Sequence, residues 1–516
     1  MLATSLTAAV LAVEAHLVRV EADSAPGFPR FTIVGLPDSA VKESEARIRA
    51  ALRNCGIPFK WDRRITVNLA PASLRKYGSS FDLATAVGLL AADGAFSFPR
   101  PAGLLLVGEL ALDGSLRPVT GVLPMLLLAR REGLSAALVP SGNHREAALA
   151  PGVPVYPVAS LPEALGLLAR EALPPPPEPP PPTDAAPGPE ADLADVRGQG
   201  LARRALEIAA AGGHNLLLVG PPGAGKTMLA RRLPGILPPL TPDEAVETAA
   251  IHSAAGLPPE EAIRGRPFRS PHHTASEVAL VGGGARPRPG EVSLAHNGVL
   301  FLDELPEFRR AALEVLRQPL EEGQVTVARH RGAFRMPARF QLVGAMNPCP
   351  CGRRGSAVAA CSCTPGETRS YLGRLSGPLL DRIDLHVPVP ALGFDEASGP
   401  PGEPSACVGS RVAAARARQA ARLQGRPASN ATLASPLLRR AALPGAEGQR
   451  LLRHAVDRLG LSARGLDRLL RVARTIADLH DSEEVSASHL AEALAFRGCT
   501  ADTEPPHSLQ GFGGKP

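Results

Sequence analysis

The sequence predicts an α/β protein of three parts: an N-terminal α+β domain, a central α/β core and a C-terminal helical domain. Three observations lead to this prediction. The chain has 516 residues, which is too many for one hydrophobic core. Strand-like and helix-like segments alternate through residues 1–172, and near residue 220 a glycine-rich loop joins an apolar strand to a helix. Residues 396–500 are rich in Ala, Leu and Arg, which is typical of packed helices.

The first predicted domain spans residues 1–172. Its apolar start lacks a basic leader region and is interrupted by Glu14 and His16, so it predicts a first strand and not a signal peptide. Further strand-like segments lie at 31–34, 65–69 and 103–108, and helical segments at 41–52, 83–92 and 125–132. This mixture predicts an α+β domain.

Proline-rich and polar segments separate the predicted domains. Residues 173–192 begin with nearly continuous proline, which favours a stiff polyproline II spacer, with a ligand for an aromatic-lined groove as the alternative. We place the core at 193–395 and the helical domain at 396–500. Residues 501–516, with Pro, Gly and Ser throughout, predict a disordered tail.

A phosphate-binding loop is the strongest functional motif. After the apolar strand 216–219, the segment GPPGAGKT fills the pattern G-x-x-x-x-G-K-[ST]. Its glycines let backbone N–H groups face an anion, Lys226 supplies charge to the β- and γ-phosphates, and the Thr227 hydroxyl can ligate Mg²⁺. The predicted nucleotide-binding residues are Gly220, Pro221, Pro222, Gly223, Ala224, Gly225, Lys226 and Thr227. The motif therefore predicts binding of ATP and Mg²⁺.

Two later strands end in polar side chains that suit the same site. VLFLDE places Asp303 and Glu304 after a buried strand, and FQLVGAMN ends in Asn347. We expect Asp303 to hold Mg²⁺ through its water shell and Glu304 to orient and polarise the attacking water. Asn347 is expected to bond water or the γ-phosphate.

Two arginines are candidates for sensing the nucleotide. Arg382, in LLDRIDL, resembles the arginine that ring-forming ATPases send into the neighbouring subunit's site, where it neutralises transition-state charge. A surface pair with Asp381 or Asp384 is the alternative. Arg464 follows the N-cap residue Ser462 in the first turn of a helix, where the helix dipole favours anions. A facing γ-phosphate would remove that conflict.

From residue 195 to about residue 490, this set of motifs resembles the magnesium-chelatase branch of AAA+ proteins. The segments RSPHHT from Arg269, RPGEVSLAHNG from Arg288 and NPCPCG from Asn347 are similar to the YifB/ComM family. The resemblance implies an AAA+ P-loop NTPase core with a helical lid, in which Arg464 is the second sensor. It also implies a hexameric ATPase that migrates branched DNA during uptake and recombination of foreign strands.

The N-terminal domain resembles the proteolytic domain of Lon-type proteases. KYGSSFDLATAV from Lys76, VGELALDG from Val107 and ALVP from residue 137 carry the likeness. Ser80 falls at the position of the nucleophile, but the position of the catalytic lysine holds Pro124, which cannot accept a proton. Lys76 is too close in sequence to Ser80 to be assumed its replacement. We therefore expect a Lon-like domain without proteolytic activity, used for assembly or substrate handling.

Four of the seven cysteines cluster directly after Asn347. They are Cys349, Cys351, Cys361 and Cys363. Four soft ligands suit a tetrahedral structural Zn²⁺, although the C-x-C spacing is not the commonest one. Free thiols and a redox-labile disulfide remain alternatives, and the cysteine usage as a whole indicates a reducing, cytoplasmic compartment.

Basic segments outside these motifs raise the question of nucleic-acid contacts. His272 and His273 are expected in an insertion loop, facing DNA phosphates together with nearby arginines. Those arginines are Arg264, Arg266 and Arg269. A second basic run is a candidate for phosphate contact, with a solvated helix face as the alternative. It consists of Arg411, Arg416, Arg418, Arg422 and Arg426.

Composition adds only weak limits on the partner. The net charge of +6 and the pI near 9.1 permit an anionic partner, and an aromatic content of 3% argues against a grip based on base stacking. No apolar run is long enough for a membrane span, so no membrane partner is expected. We therefore expect a ring-forming ATPase acting on branched or single-stranded DNA. A protein-remodelling ATPase of the magnesium-chelatase type is the alternative.

Overall fold

The computed structural model describes residues 1–96, 98, 103–180, 191–329, 332–355, 360–423, 429–459 and 461–497. Residues 173–180 and 191–192, the described part of the expected spacer, have no regular secondary structure. The expected tail at 501–516 lies outside the described residues.

The N-terminal part contains a seven-stranded mixed sheet with the strand order β3-β4-β2-β1-β5-β8-β9. Its strands, with the small β6–β7 hairpin, are β1 (Leu2–Leu11), β2 (Glu14–Ala25), β3 (Arg30–Val34), β4 (Arg64–Ala70), β5 (Leu104–Leu106), β6 (Glu109–Leu110), β7 (Leu116–Arg117), β8 (Ala136–Pro140) and β9 (Val155–Val158). Its helices are α1 (Ser39–Lys42), α2 (Ser44–Asn54), α3 (Asp82–Asp93), α4 (Val122–Arg131), α5 (His144–Ala147) and α6 (Leu161–Leu168). The expected first strand is therefore present, and strands and helices lie close to the segments expected from sequence.

Helix α3 is the central helix of this part, and nearly all of it is buried against β1 and β2. Its buried first residue, Asp82, accepts hydrogen bonds from the Arg47 guanidinium at 2.6 and 3.0 Å. Burial is the main influence on the Asp82 carboxyl and raises its pKa, although Arg47 opposes this. A buried carboxylate at a helix N-terminus is stabilised by its cation and by the helix dipole.

The central part is built on a five-stranded parallel sheet with the order β11-β14-β17-β10-β18. The strands of this region, with two antiparallel hairpins, are β10 (Leu216–Val219), β11 (Phe268–Arg269), β12 (Gly282–Gly283), β13 (Arg288–Pro289), β14 (Val299–Leu302), β15 (Gln324–Arg329), β16 (Gly332–Pro337), β17 (Gln341–Met346) and β18 (Leu385–Pro388). The three central strands are short and, apart from Gln341 at the start of β17, apolar, because helices cover both faces of a parallel sheet.

Helices of the central part surround this sheet. They are α7 (Gly200–Gly212), α8 (Lys226–Arg232), α9 (Pro242–Ala255), α10 (Pro259–Ala262), α11 (Glu277–Val281), α12 (Glu291–Leu294), α13 (Arg310–Glu314), α14 (Arg317–Glu322), α15 (Pro365–Leu372), α16 (Gly377–Leu380) and α17 (Phe394–Ala397). The C-terminal part consists of α18 (Ser405–Arg422), α19 (Ser435–Ala442), α20 (Ala446–Leu459), α21 (Ala463–Leu479) and α22 (Ala487–Ala495). The fold is thus the predicted α/β arrangement with a C-terminal helical domain.

The C-terminal helices share one hydrophobic core with the central sheet. Buried side chains of β10 and β18 belong to the same apolar cluster as those of α18 and α21, for example Leu218, Val387, Val412 and Ile476. The N-terminal part also contacts the centre, since Ala12 of the β1–β2 turn packs in a cluster with Leu217 of β10. Among the described helices, none combines the length and the apolar character needed to cross a bilayer.

Candidate nucleotide site

The phosphate-binding loop joins β10 to the N-terminus of α8. Lys226 is 9% exposed, and its Nζ donates to Gly220 O at 2.7 Å, Pro221 O at 2.9 Å and Asn347 Oδ1 at 3.1 Å. Burial lowers the pKa of Lys226. Three oxygens therefore surround the ammonium, and a phosphate would offer it a full negative charge in their place.

The backbone of the loop approaches the end of β18 closely. A Cβ added at Gly220 would lie 2.1 Å from Val389 O, so only glycine fits at this position. Gln199 supports the same region, because its Nε2 donates to Pro390 O at 2.7 Å and Ala224 O at 3.4 Å. Sequence reasoning did not single out Gln199, since its partners are distant in sequence.

Asp303 reaches the phosphate loop across one intervening strand. It follows β14, which pairs with β17, and β17 pairs with β10. The Thr227 hydroxyl donates to Asp303 Oδ2 at 2.7 Å. The two residues predicted to hold Mg²⁺ are thus in direct contact, which places a hydroxyl and a carboxylate close enough to serve one cation. Hard oxygen donors of this kind fit Mg²⁺.

The Glu304 carboxylate contacts a histidine. Its backbone is in the left-handed region, with φ +51° and ψ +45°, and its Oε2 lies 3.2 Å from His273 Nδ1. His273 follows β11, the parallel neighbour of β14, so both residues leave the same sheet edge. The sequence placed His273 in a DNA-facing loop and missed this contact, which the neighbouring strand ends could have suggested.

Arg382 lies at the opposite edge of the sheet. Leu385, at the start of β18, pairs with Leu216, and Pro388 pairs with Val219 directly before the phosphate loop. Four residues of a strand span about 13 Å. Arg382 precedes β18, so the length of this strand separates it from the phosphate loop of its own chain.

Within its own chain Arg382 is engaged with Glu321. The guanidinium, 12% exposed, pairs with the Glu321 carboxylate and donates to Pro378 O. The pair with Asp381 or Asp384, considered from the sequence, is not the contact formed in the described structure. Arg382 must leave Glu321 before it can reach any nucleotide.

Arg464 lies on the same side as Arg382. It is exposed in the first turn of α21, and Arg468, one turn later, has its Nε 3.8 Å from Asp384 Oδ1. Asp384 also lies 3.2 Å from His214 Nδ1, before the start of β10. The start of α21 is therefore near the amino ends of the strands, away from the chain's own phosphate loop.

The arginines expected to face DNA are mostly occupied within the chain. Arg269 donates to both oxygens of Glu291, at 2.7 and 3.0 Å, and Arg266 donates to two proline carbonyls, Asn297 O and Glu244. These two side chains bond other parts of the chain, and their contact with DNA phosphates stays a prediction. Arg264 has no such pair in the described structure.

The second basic run also has a structural role. Arg411 pairs with Glu207 and Glu403, and Arg416 donates to Ala210 O at 2.9 Å. Arg418 donates to the backbone oxygen of Asp478 in α21 and pairs with Asp481, which follows that helix. Arg422 pairs with the Asp478 carboxylate. The run joins α18 to the core and to α21 and is not a free phosphate-binding face; Arg426 lies outside the described residues.

The four clustered cysteines come together between β17 and α15. Their sulfur atoms all lie within 4.8 Å of one another, and Cys349 is buried. Zinc bound to four thiolates at about 2.3 Å requires sulfur atoms about 3.8 Å apart, so the cluster fits this cation.

The Lon-like site lacks an amine in the expected place. Ser80 is 8% exposed, and Pro124 is buried in α4. Lys76 is fully buried, with its Nζ donating to Leu69 O at 2.6 Å and to Pro71 O. Burial lowers the pKa of Lys76 to about 8, but both named acceptors are backbone carbonyls and not the serine.

Comparisons with known proteins agree with this arrangement. Residues 192–397 match the family described as "Magnesium chelatase, subunit ChlI", residues 20–143 match "Subunit ChlI of Mg-chelatase", and residues 402–497 match "Magnesium chelatase, subunit ChlI C-terminal". Part of the chain is also 27% identical over 173 residues to Lon protease 1 of Hydrogenovibrio crunogenus, a match that covers 31% of this chain and 21% of that protein.

Two similar proteins extend over almost the whole chain. "Uncharacterized protein YifB" of Escherichia coli is 47% identical over 497 residues, covering 95% of this chain and 96% of that protein. "Competence protein ComM" of Haemophilus influenzae is 45% identical over 506 residues, covering 96% of this chain and 97% of that protein. The chain belongs to the YifB/ComM family of magnesium-chelatase-like AAA+ proteins.

Proposed function

We propose that this protein is an ATP-hydrolysing motor that assembles into a ring, most simply a hexamer, and moves branched DNA. The observation that carries the proposal is the division of the nucleotide site between two edges of one sheet. Lys226, Thr227 and Asp303 lie at the carboxyl edge, while Arg382 lies at the amino edge. A second copy can complete the site, as the trans arginine of a ring requires.

At the carboxyl edge, the chain's own residues have separate tasks. Lys226 and the loop N–H groups bind the triphosphate, and Thr227 and Asp303 would hold Mg²⁺, which neutralises charge on the β- and γ-phosphates. Asn347 contacts Lys226 and therefore lies where it can follow the γ-phosphate. Glu304 is the group that orients the attacking water, and its contact with His273 fixes the orientation of its carboxylate.

At the subunit boundary, Arg382 supplies positive charge to the transition state of the neighbouring site. Its present partner, Glu321, holds the side chain until assembly offers a better anion. Hydrolysis then depends on ring formation, and Arg464, on the same side of the subunit, reports the neighbour's nucleotide to the helical lid.

The DNA substrate is supported by family membership and by charge. A relative similar over 97% of its length is named a competence protein, and this chain carries a net charge of +6. We infer a branch-migration helicase that aids integration of incoming DNA. Because such binding neutralises phosphates, its affinity should fall steeply as salt concentration rises.

The decisive experiment is branch migration of a synthetic four-way junction by the purified full-length protein with ATP and Mg²⁺. The wild type should resolve the junction, whereas Lys226→Ala and Glu304→Gln should not. Lys42→Ala, which removes an exposed lysine from α1, is the matched control and should behave as wild type. Failure of the wild type to migrate any junction while hydrolysing ATP would reject the DNA function.

A protein-remodelling ATPase is the second candidate, because matches to magnesium-chelatase subunit families cover most of the chain. The two functions differ in what stimulates ATP hydrolysis. A DNA motor responds to branched or single-stranded DNA, whereas a protein remodeller is indifferent to DNA and responds to a second protein. ATPase rates measured with and without a four-way junction separate the two.

A further inference from the structure

The cysteine loop, residues 349–363, lies against the nucleotide site without belonging to it. Cys349 and Cys351 follow β17 directly after Asn347, and Cys361 and Cys363 precede α15. Three sulfur separations are 3.4, 3.6 and 3.6 Å, too long for a disulfide of about 2.05 Å and close to the edge of a zinc–thiolate tetrahedron.

The loop has little apolar burial to hold its shape. Among its described residues, 349–355 and 360–363, only Cys349 and Gly352 are buried. A segment this polar does not remain in one conformation through packing alone. A cation bound by all four thiolates closes the loop, and with no open ligand position it is structural and not catalytic.

The cysteine loop packs against the phosphate-binding loop. Gly352 has φ +74°, and a Cβ added to it would lie 2.6 Å from Pro222 Cδ and 3.0 Å from Pro222 Cγ. The same Cβ would lie 3.8 Å from Cγ of Asn347. The backbone at Gly352 therefore contacts Pro222, an otherwise exposed residue of the phosphate loop. This contact connects the four sulfur atoms to the site that binds ATP.

We propose that Cys349, Cys351, Cys361 and Cys363 bind one zinc ion, and that the zinc-closed loop supports the phosphate-binding loop through Gly352 and Pro222. The metal then governs ATP affinity while touching no part of the nucleotide. Loss of the metal frees the loop, and the phosphate loop loses its support on the Pro222 side.

Two measurements on freshly reduced full-length protein test the zinc site and the support of the phosphate-binding loop separately. Zinc content by elemental analysis should be about one per chain in the wild type and near zero in Cys361→Ser/Cys363→Ser, which leaves the buried Cys349 in place. Cys55→Ser and Cys407→Ser, outside the loop, should keep full zinc. Wild type with less than about half an equivalent of zinc overturns the metal site.

Equilibrium binding of a fluorescent, non-hydrolysable ATP analogue tests the support. Gly352→Ala keeps every thiolate, so it should retain zinc yet raise the Kd about tenfold, because its Cβ displaces Pro222. Zinc removed from the wild type with a chelator, which is then dialysed away before Mg²⁺ is restored, should raise the Kd to a similar degree, and this measurement needs no substitution to fold. Unchanged Kd in both cases overturns the support, whatever the outcome of the DNA experiments.

Discussion

Replacing Arg382 and Lys226 in separate chains and then mixing those chains gives the sharpest test of a shared site. Arg382→Ala alone should reduce ATP turnover by about 10³-fold or more, as removal of a trans arginine does. Lys226→Ala alone should fail to bind nucleotide productively. The structure predicts that the two defects complement each other, because the residues lie at opposite edges of the sheet, with strands of about 13 Å between them.

The expected recovery follows from counting boundaries. In an equimolar mixed ring, half of the phosphate loops and half of the neighbouring arginines are wild type, so about a quarter of the boundaries are intact. Steady-state ATPase assays should therefore recover up to about a quarter of the wild-type rate if the sites act independently. Mixing Lys226→Ala with Glu304→Gln provides the matched control, since both defects then lie in the same half-site. That mixture should recover nothing.

Mixed rings that assemble but stay inactive would refute the shared site. Wild-type turnover by Arg382→Ala would refute it more directly. Size analysis of the mixture is needed beside the ATPase rate, because chains that do not exchange would also give no recovery. Co-expression of the two chains from one cell removes that ambiguity.

Three further substitutions test contacts that the described structure establishes. His273→Ala should lower kcat about tenfold with little change in KM, because Glu304 loses the partner that fixes its orientation; steady-state kinetics measures both constants. Asp478→Ala should lower the free energy of unfolding by about 3 to 5 kcal/mol in denaturant titrations, because it leaves the buried Arg474 unpaired. Burial raises the pKa of Glu146 above its ordinary 4.5. The folded protein therefore holds this proton more tightly than the unfolded chain, and the resulting stability is present at low pH and is lost as the pH rises through the pKa of the folded state. The melting temperature of Glu146→Gln should therefore rise relative to wild type between pH 5 and pH 8.

Each of these has a neighbour as its control. His272→Ala removes the adjacent imidazole, which bonds Thr274 and not Glu304, and should leave kcat unchanged. Asp481→Ala breaks an exposed pair with Arg418 and should cost less than about 1 kcal/mol. If a control variant had the same effect as its test variant, a non-specific effect of substitution in that region, and not the named contact, would be responsible. For Glu146, parallel pH curves of wild type and variant would contradict the reasoning.

The parts of the site that the sequence predicted are those that depend on contiguous residues or on a simple strand pattern. The phosphate loop is contiguous, and its strand and helix follow from apolar pattern and glycine spacing. Asp303 and Asn347 could be placed as well, because both end strands of one parallel sheet, and the carboxyl ends of such strands share an edge. The structure duly brings Thr227 to Asp303 and Lys226 to Asn347.

The contacts that the sequence did not predict are those between residues that are distant in the sequence. Arg269 and Arg411 look like free cations in a linear reading, but Glu291 neutralises one, and Glu207, some two hundred residues away, neutralises the other. A composition count shows the charge and not its counter-ion. His273 was missed for the same reason, since its contact with Glu304 depends on which strands are neighbours.

The N-terminal domain contacts the core through the helix that carries the Lon-like position Pro124. Helix α4, which carries Pro124 at the position of the Lon-type lysine, packs against α9 of the core. The contact is completed by a polar link, since Glu146 accepts hydrogen bonds from Leu123 N at 2.9 Å and from the Ser253 hydroxyl of α9. A helix buried in this way cannot present an amine to a substrate, and an unpaired lysine there would lose its charge or destabilise the domain. The described structure therefore places Pro124 in a helix that packs against α9 of the core. The absence of proteolytic activity stays a prediction, and ATP-dependent cleavage of unfolded casein that requires Ser80 would contradict it.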